Sequence, residues 1–240
     1  MKNIYNLKSF YTHLLKNKLY TSIEIFGFSI SLIFVFFIAI YTVQELSTDK
    51  FQTKADRIFI VGNEDRPTTA AAIAYKLKER YPEIEKVCPV VASGSASAPV
   101  SVADRKLSAS LMFADSTFFD LFSFKLLEGD PNTALVSNNN VVVSQSFAKK
   151  FFGSTTILGE RIQVGDSVTL IISGVVKDLL NSTLPESDII LPWRLVKHFN
   201  AGLDEHELGN TGGTIAFVLT HEGTDFRLKA DELKSWFETF

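Results

Sequence analysis

The chain has 240 residues, with 24 Lys plus Arg against 27 Asp plus Glu and a formal net charge of −3. That balance lacks the basic excess on which nucleic-acid binding rests, and the length allows one large or two small domains. Cys88 is the only cysteine, which excludes an internal disulfide.

Residues 3–20, NIYNLKSFYTHLLKNKLY, space Ile4, Leu7, Tyr11, Leu14 and Leu15 at helical intervals, with Lys8, Lys16 and Lys18 mostly elsewhere. Residues 1–22 therefore read as a cytoplasmic amphipathic segment in the membrane interface, its lysines near anionic headgroups. Residues 23–45 read as one transmembrane helix. Its core, Ile25 to Val43, carries no charged side chain. At 1.5 Å per residue it reaches roughly 28 Å, close to the hydrocarbon thickness of a bilayer. Phe, Ile, Leu and Val lie on all its sides, unlike a helix half-buried in a soluble core. The run is too long for a signal-peptide core, and Gln44-Glu45-Leu46 after it offers no small-residue cleavage site.

Lys2, Lys8, Lys16 and Lys18 precede this helix with no acid before Glu24. The far flank mixes Glu45, Asp49, Lys50, Lys54, Asp56 and Arg57. The positive-inside rule places the N-terminus in the cytoplasm and residues 46–240 outside, in a plasma (inner) membrane protein with one span. Glu24 sits at the cytoplasmic edge, where it reaches water. Gly27, Ser29 and Ser31 are the helix-packing candidates, because small residues let a second helix approach closely.

Beyond the membrane, 57–61 reads as a strand and Glu64 to Pro67 as a turn. Thr68 to Tyr81 reads as a helix with Ala70, Ile73, Ala74, Leu77 and Tyr81 on one face, ended by Pro82. Val87 to Ala92 is a strand in which Cys88 is buried and inert, since only Lys86 nearby could activate its thiol. The Ser/Ala/Gly run 93–98 is a loop. Lys106 to Ala114 alternates like a half-buried strand. Asp115 or Ser116 caps a short helix rich in phenylalanine.

Val141 to Val143 is a strand, Ser144 caps helix 145–152, and Gly153 ends it. Residues 161–164 and 168–176 flank Gly165-Asp166 as a hairpin. Further strands follow at 188–191 and 214–220, then a helix at 225–240. The last strand–helix pair echoes 57–81 in pattern. Two βα units thus frame a stretch of roughly 105–195 inserted between them. Phe118, Phe119, Phe122, Phe147, Phe151 and Phe152 are core candidates.

No catalytic, cofactor-binding or metal-ligating set emerges. GxxxxGK[ST], HExxH and CxxC are absent. Asp204-Glu205-His206-Glu207 reads as a solvated acidic loop, because adjacent residues rarely converge on one ion. Ser144 and Ser146 have no His or Lys beside them in sequence, and Asp115 and Asp120 have no evident pairing partner.

Several ordered stretches resemble the start of MacB-like, FtsX-family ABC transporter permease subunits. They are KNKLYTSIEIFGFSIS, VQELSTDKFQTKADRIFIV, LKERYPEIEKV, ADSTFFDLFSFKLLEGDP, VVVSQSFAKKFFG, LGERIQV and ISGVVKDLLNSTLPESDIILP. Family members often carry Asn and Gly where this chain has Glu24 and Ser31. The resemblance implies an α+β chain: one transmembrane helix, then a MacB-like extracytoplasmic domain made of a porter-like subdomain with a second α/β subdomain inserted. It implies no cofactor and no enzymatic activity of the chain itself. It implies a cytoplasmic ABC ATPase as partner, pairing with a second permease copy, contact with membrane lipid, and a periplasmic or outer-membrane partner. Family members have four membrane helices, so the expectation is the N-terminal part of a permease. The competing expectation is a single-pass sensor or binding protein complete at 240 residues.

Overall fold

The computed structural model describes residues 12, 16, 18–62, 67–102, 104–199 and 213–238; side chains at 71 and 92–96 are outside that description. The amphipathic segment at 3–20, apart from residues 12, 16 and 18–20, falls outside it, as do most of the turn at 64–67, the acidic loop 204–207 and Phe240. The chain divides into two compact units, 1–48 and 49–240.

In the first unit, α1 (Lys18–Ser47) runs 30 residues and buries no side chain. Among the described residues nothing covers Phe34, Phe36, Phe37 or Ile38. An uninterrupted helix with apolar residues all round satisfies its own backbone polar groups and leaves its surface to lipid. It is long and apolar enough to cross a membrane.

The second unit is built on a nine-stranded sheet among the described residues. After a 3₁₀ turn at Ala55–Arg57 come β1 (Ile58–Val61), α2 (Ala71–Arg80), β2 (Ile84–Val102), β3 (Arg105–Ala114), α3 (Phe118–Leu121) and β4 (Leu126–Gly129). They are followed by β5 (Asn140–Ser144), α4 (Gln145–Phe152), β6 (Arg161–Val164), β7 (Val168–Val176) and β8 (Ile189–Pro192). The chain closes with α5 (Val196–Phe199), β9 (Ile215–Thr220) and α6 (Ala230–Phe237). The strand order is β1-β9-β2-β3-β8-β5-β7-β4, with β6 pairing β2 and β7. β3 with β8 and β5 with β7 are parallel; the other pairs are antiparallel.

Side chains on a strand alternate between faces, and here both faces are buried. On β8, Ile189 and Leu191 join the cluster under α4, while Ile190 joins the one under α3. On β9, Phe217 and Leu219 face the α3 side, and Ala216 and Val218 pack against α2 and α6 through Leu77, Tyr81 and Leu233. Ser144 caps α4 by accepting from the Phe147 amide at 3.1 Å, and Gly153 ends it in the left-handed region at φ 70°. Only a residue free of Cβ enters that conformation at little cost.

Three expectations need correction. Residues 93–98 are strand, inside β2, with the register against β3 shifting between Ala92 and Ser97. Ser97 and Ala98 pair with Ser110 and Ala109 of β3, and 93–96 form the irregular stretch of the strand between the two registers. Neither Asp115 nor Ser116 is the N-cap of α3; that position is Thr117, and the Asp115 carboxylate accepts from its amide at 3.0 Å. Phe119 and Phe152 lie at the margins of their clusters, unlike the buried Phe118, Phe122, Phe147 and Phe151.

Candidate functional site

The richest set of specific contacts lies where the chain enters the second unit, at residues 49–57. Among the described residues, the two non-glycines with positive φ are Asp49 (57°) and Asn181 (53°). They are bonded to each other, the Asp49 amide donating to the Asn181 carbonyl at 2.9 Å. Asp and Asn tolerate the left-handed conformation better than other side-chain-bearing residues. The Asp49 carboxylate also accepts from the Ser182 hydroxyl (2.9 Å), the Thr183 amide (3.1 Å) and the Thr183 hydroxyl (2.5 Å). One aspartate thus gathers the loop 181–183.

The next residues stitch to a different part of the fold. Gln52 is buried, and its side-chain carbonyl accepts from the Ser123 amide at 2.6 Å. The Thr53 amide donates to the Ser123 hydroxyl at 3.0 Å, and the two hydroxyls lie 2.9 Å apart. Lys54 donates to the Asp120 carbonyl. Phe51 packs on Phe124 with ring centroids 5.3 Å apart. Arg57 makes a third attachment: Nε donates to the Thr220 carbonyl at 2.8 Å, and the guanidinium pairs with Glu85. Nine residues therefore bind the loop before β8, the end of α3 and the end of β9. A cavity of about 150 Å³ lies between these attachments, walled by Asp49, Gln52, Ile58, Phe122, Leu184 and Phe217.

Other candidates resolve into structural roles. Ser146 donates from both its amide and its hydroxyl to Asp178, at 2.9 and 2.7 Å. Ser110 donates likewise to Asp188, both bonds 2.9 Å. Asp115 accepts from the Tyr75 hydroxyl at 3.0 Å, and Asp120 pairs with Lys86 at 2.7 Å. Cys88 is fully buried; desolvation, and secondarily the Asp115 charge, push its thiol far above the usual range. In α1, Ser29 donates to the Ile25 carbonyl at 2.7 Å and Ser31 to the Gly27 carbonyl at 2.9 Å. Their hydroxyls are thereby satisfied within the helix, and a Cβ at Gly27 would meet nothing within 4 Å.

The attachments at 49–57 were not read from the sequence. The one local hint is polar Gln52 and Thr53 within FQTKADR, a segment between two apolar elements. Their partners lie far off in sequence, 133 residues away for Ser182.

A family model described as the MacB-like periplasmic core domain matches residues 21–234. The chain belongs to this family. Among solved structures, this MacB-like chain is similar to a domain of a putative permease protein from Porphyromonas gingivalis. The TM-score is 0.66 at 21% identity, over 78% of this chain and 86% of that one. It is also similar to the periplasmic region of MacB from Actinobacillus actinomycetemcomitans, with TM-score 0.55 at 19% identity, over 76% and 81% of the two chains. At these identities the likeness is one of fold. No curated protein sequence matches the chain. The family is one of ABC transporter permeases, and the mixed helix-and-strand unit behind one apolar helix is its MacB-like periplasmic domain.

Proposed function

We propose that the chain is the N-terminal portion of a MacB/FtsX-type permease subunit, which couples motion driven by a separate cytoplasmic ATPase to work outside the membrane. That work is export, extraction or signalling through the MacB-like domain. The observation that carries the reading is the threefold attachment of residues 49–57, two residues beyond the end of α1. A flexible tether would dissipate a displacement of the helix end. A segment fixed by backbone, carboxylate and guanidinium bonds passes it to the loop before β8, to α3 and to β9 together.

In this reading the N-terminus is cytoplasmic and residues 46–240 are extracytoplasmic, as the lysine asymmetry indicates. β1, β2 and β9 with α2 and α6 form the porter-like subdomain, and roughly 105–195 the inserted one. Gly27, Ser29 and Ser31 are the small residues at which the later membrane helices of the same subunit approach. The chemistry of ATP stays with the partner subunit.

The test is isolation from native membranes under mild detergent. The chain should bring down an ABC ATPase, and the assembly should hydrolyse ATP while the separately purified chain does not. ATP turnover by the chain alone would overturn the division of labour. Recovery of the chain without any ATPase, under conditions that keep other ABC assemblies whole, would favour an anchored binding protein.

A further inference from the structure

We propose that the free edge of β1 is the seat of a further strand, supplied by the polypeptide that follows α6 in the whole subunit. The inference rests on the reading of the chain as the N-terminal portion of a permease subunit.

Among the described residues β1 has a strand on one side only, β9. Its four residues, Ile58, Phe59, Ile60 and Val61, are all apolar. A bare apolar edge invites pairing with another strand, and proteins blunt such edges with charges, bulges or cover. The opposite edge of the sheet is blunted: β4 carries Glu128, shifts register there and ends at Gly129. β1 has no such device, and Ile60 is 43% exposed. On the other face of the strand an open groove of about 700 Å³ runs between β1 and α6. Phe59, Val61, Phe226, Leu233 and Phe237 stand in its walls. Both faces of the edge thus leave apolar surface for one more strand to cover.

The topology names the source of that strand. β1 and β2 both run antiparallel to β9, which lies between them, so β1–α2–β2 is a split βαβ unit. α2 and α6 pack on the same face of β9, through Leu77, Tyr81 and Leu233. β9 followed by α6 is the start of a second such unit, running the opposite way. Crossovers between parallel strands are right-handed. With its helix on the same face and its first strand reversed, the second crossover steps in the direction opposite to the first. The first passes β9 to reach β2, so the second passes β1. On the other side of β9 the places are held by β2 and β3. A strand beyond β1 is parallel to β9 and antiparallel to β1. The exit of α6 agrees. Phe237 and Glu238 line the same groove as Val61 and Gly62, at the end of β1 where an antiparallel neighbour begins. The occupant is a strand of about 5 residues, with apolar side chains at alternate positions facing the groove. It starts within about 6 residues of the end of α6.

The experiment compares the 240-residue chain with the whole subunit encoded by the gene, both in mild detergent. Amide hydrogen exchange is read by mass spectrometry on β1, with β9 as the check that the sheet is formed. In the whole subunit alone, Ile60→Cys is combined with single cysteines at each of the dozen or so residues after Phe240, and disulfide formation is scored; Cys88 is buried and stays out of the reaction. The expected result is exchange in β1 at least about tenfold slower in the whole subunit, with β9 unchanged. Disulfides are expected at one position and, more weakly, two residues to either side, with none between, because side chains alternate along a strand. Equal exchange of β1 in the two proteins, or no disulfide at any position, would overturn the inference and leave the permease reading standing. Protection of β1 already in the 240-residue chain would mean another occupant, a second copy included, and would overturn it equally. If no coding sequence follows residue 240, the permease reading fails and the strand falls with it.

Discussion

Asp49 does two things that no hydrophobic or longer side chain does together: it occupies the left-handed region and presents a carboxylate to three donors. Asp49→Ala removes all three acceptor contacts and places a less tolerant residue at positive φ. Hydrogen bonds to charged groups are worth about 1.5–3 kcal/mol each when intact, but Asp49 is only half-buried. A loss of about 2 kcal/mol is expected in denaturant unfolding of the outer unit, with a smaller loss for Asp49→Asn, which keeps the conformation. Equal stability of the Ala variant and the parent would show that the contacts are ornamental. Cys88 gives a second residue-scale check. Burial holds its thiol neutral, so the native protein at pH 8 should resist maleimide and react only once unfolded. Rapid native labelling would contradict its placement. That placement was legible from Val87 and Pro89-Val90-Val91 alone, because consecutive apolar flanks in a strand leave no exposed face. Asp49 was not legible, since its meaning lies in a loop more than a hundred positions away.

Elements were read best where a pattern is local. Ser144 and Gly153 bracket α4, and Gly165 turns the β6–β7 hairpin, as cap and turn chemistry demand. The run 93–98 was misread because its composition argues for a loop, while β3 resumes pairing at Ser97 and Ala98 after an irregular stretch within the strand. The phenylalanines around α3 were recognised as core, but sequence does not say which ring is central. The structure gives that place to Phe118, fully buried, stacked on Phe124, edge-on to Phe119 and tilted against Phe122. Phe118→Ala should therefore cost about 3–5 kcal/mol, and Phe119→Ala distinctly less. Thermal or denaturant unfolding distinguishes them, and similar costs would contradict the assignment. Gly129 ends β4 at φ 97°, where a Cβ would approach the Ser173 carbonyl oxygen to 2.4 Å. Gly129→Ala should lose at least about 2 kcal/mol through strain and displaced pairing with β7. A neutral variant would show that this edge of the sheet yields freely.

On the scale of the whole molecule, one apolar helix and a MacB-like unit meet in sequence within a few residues, and those residues are bound to three elements of the unit. The central claim is that this attachment transmits nucleotide-driven motion. The most direct measurement is the distance between nitroxides at Asn138→Cys in the two copies of the proposed permease pair, assembled in membranes with the ABC ATPase it is proposed to bind. Asn138 is exposed and precedes β5, at the end of the strands away from the Asp49 attachment. The distance distribution is read by pulsed electron paramagnetic resonance, without nucleotide and with ATP trapped by vanadate. The account predicts a shift on trapping in the parent protein, and a broadened distribution with little or no shift in Asp49→Ala while ATP hydrolysis continues. An identical shift in parent and variant, or none in the parent, would contradict it.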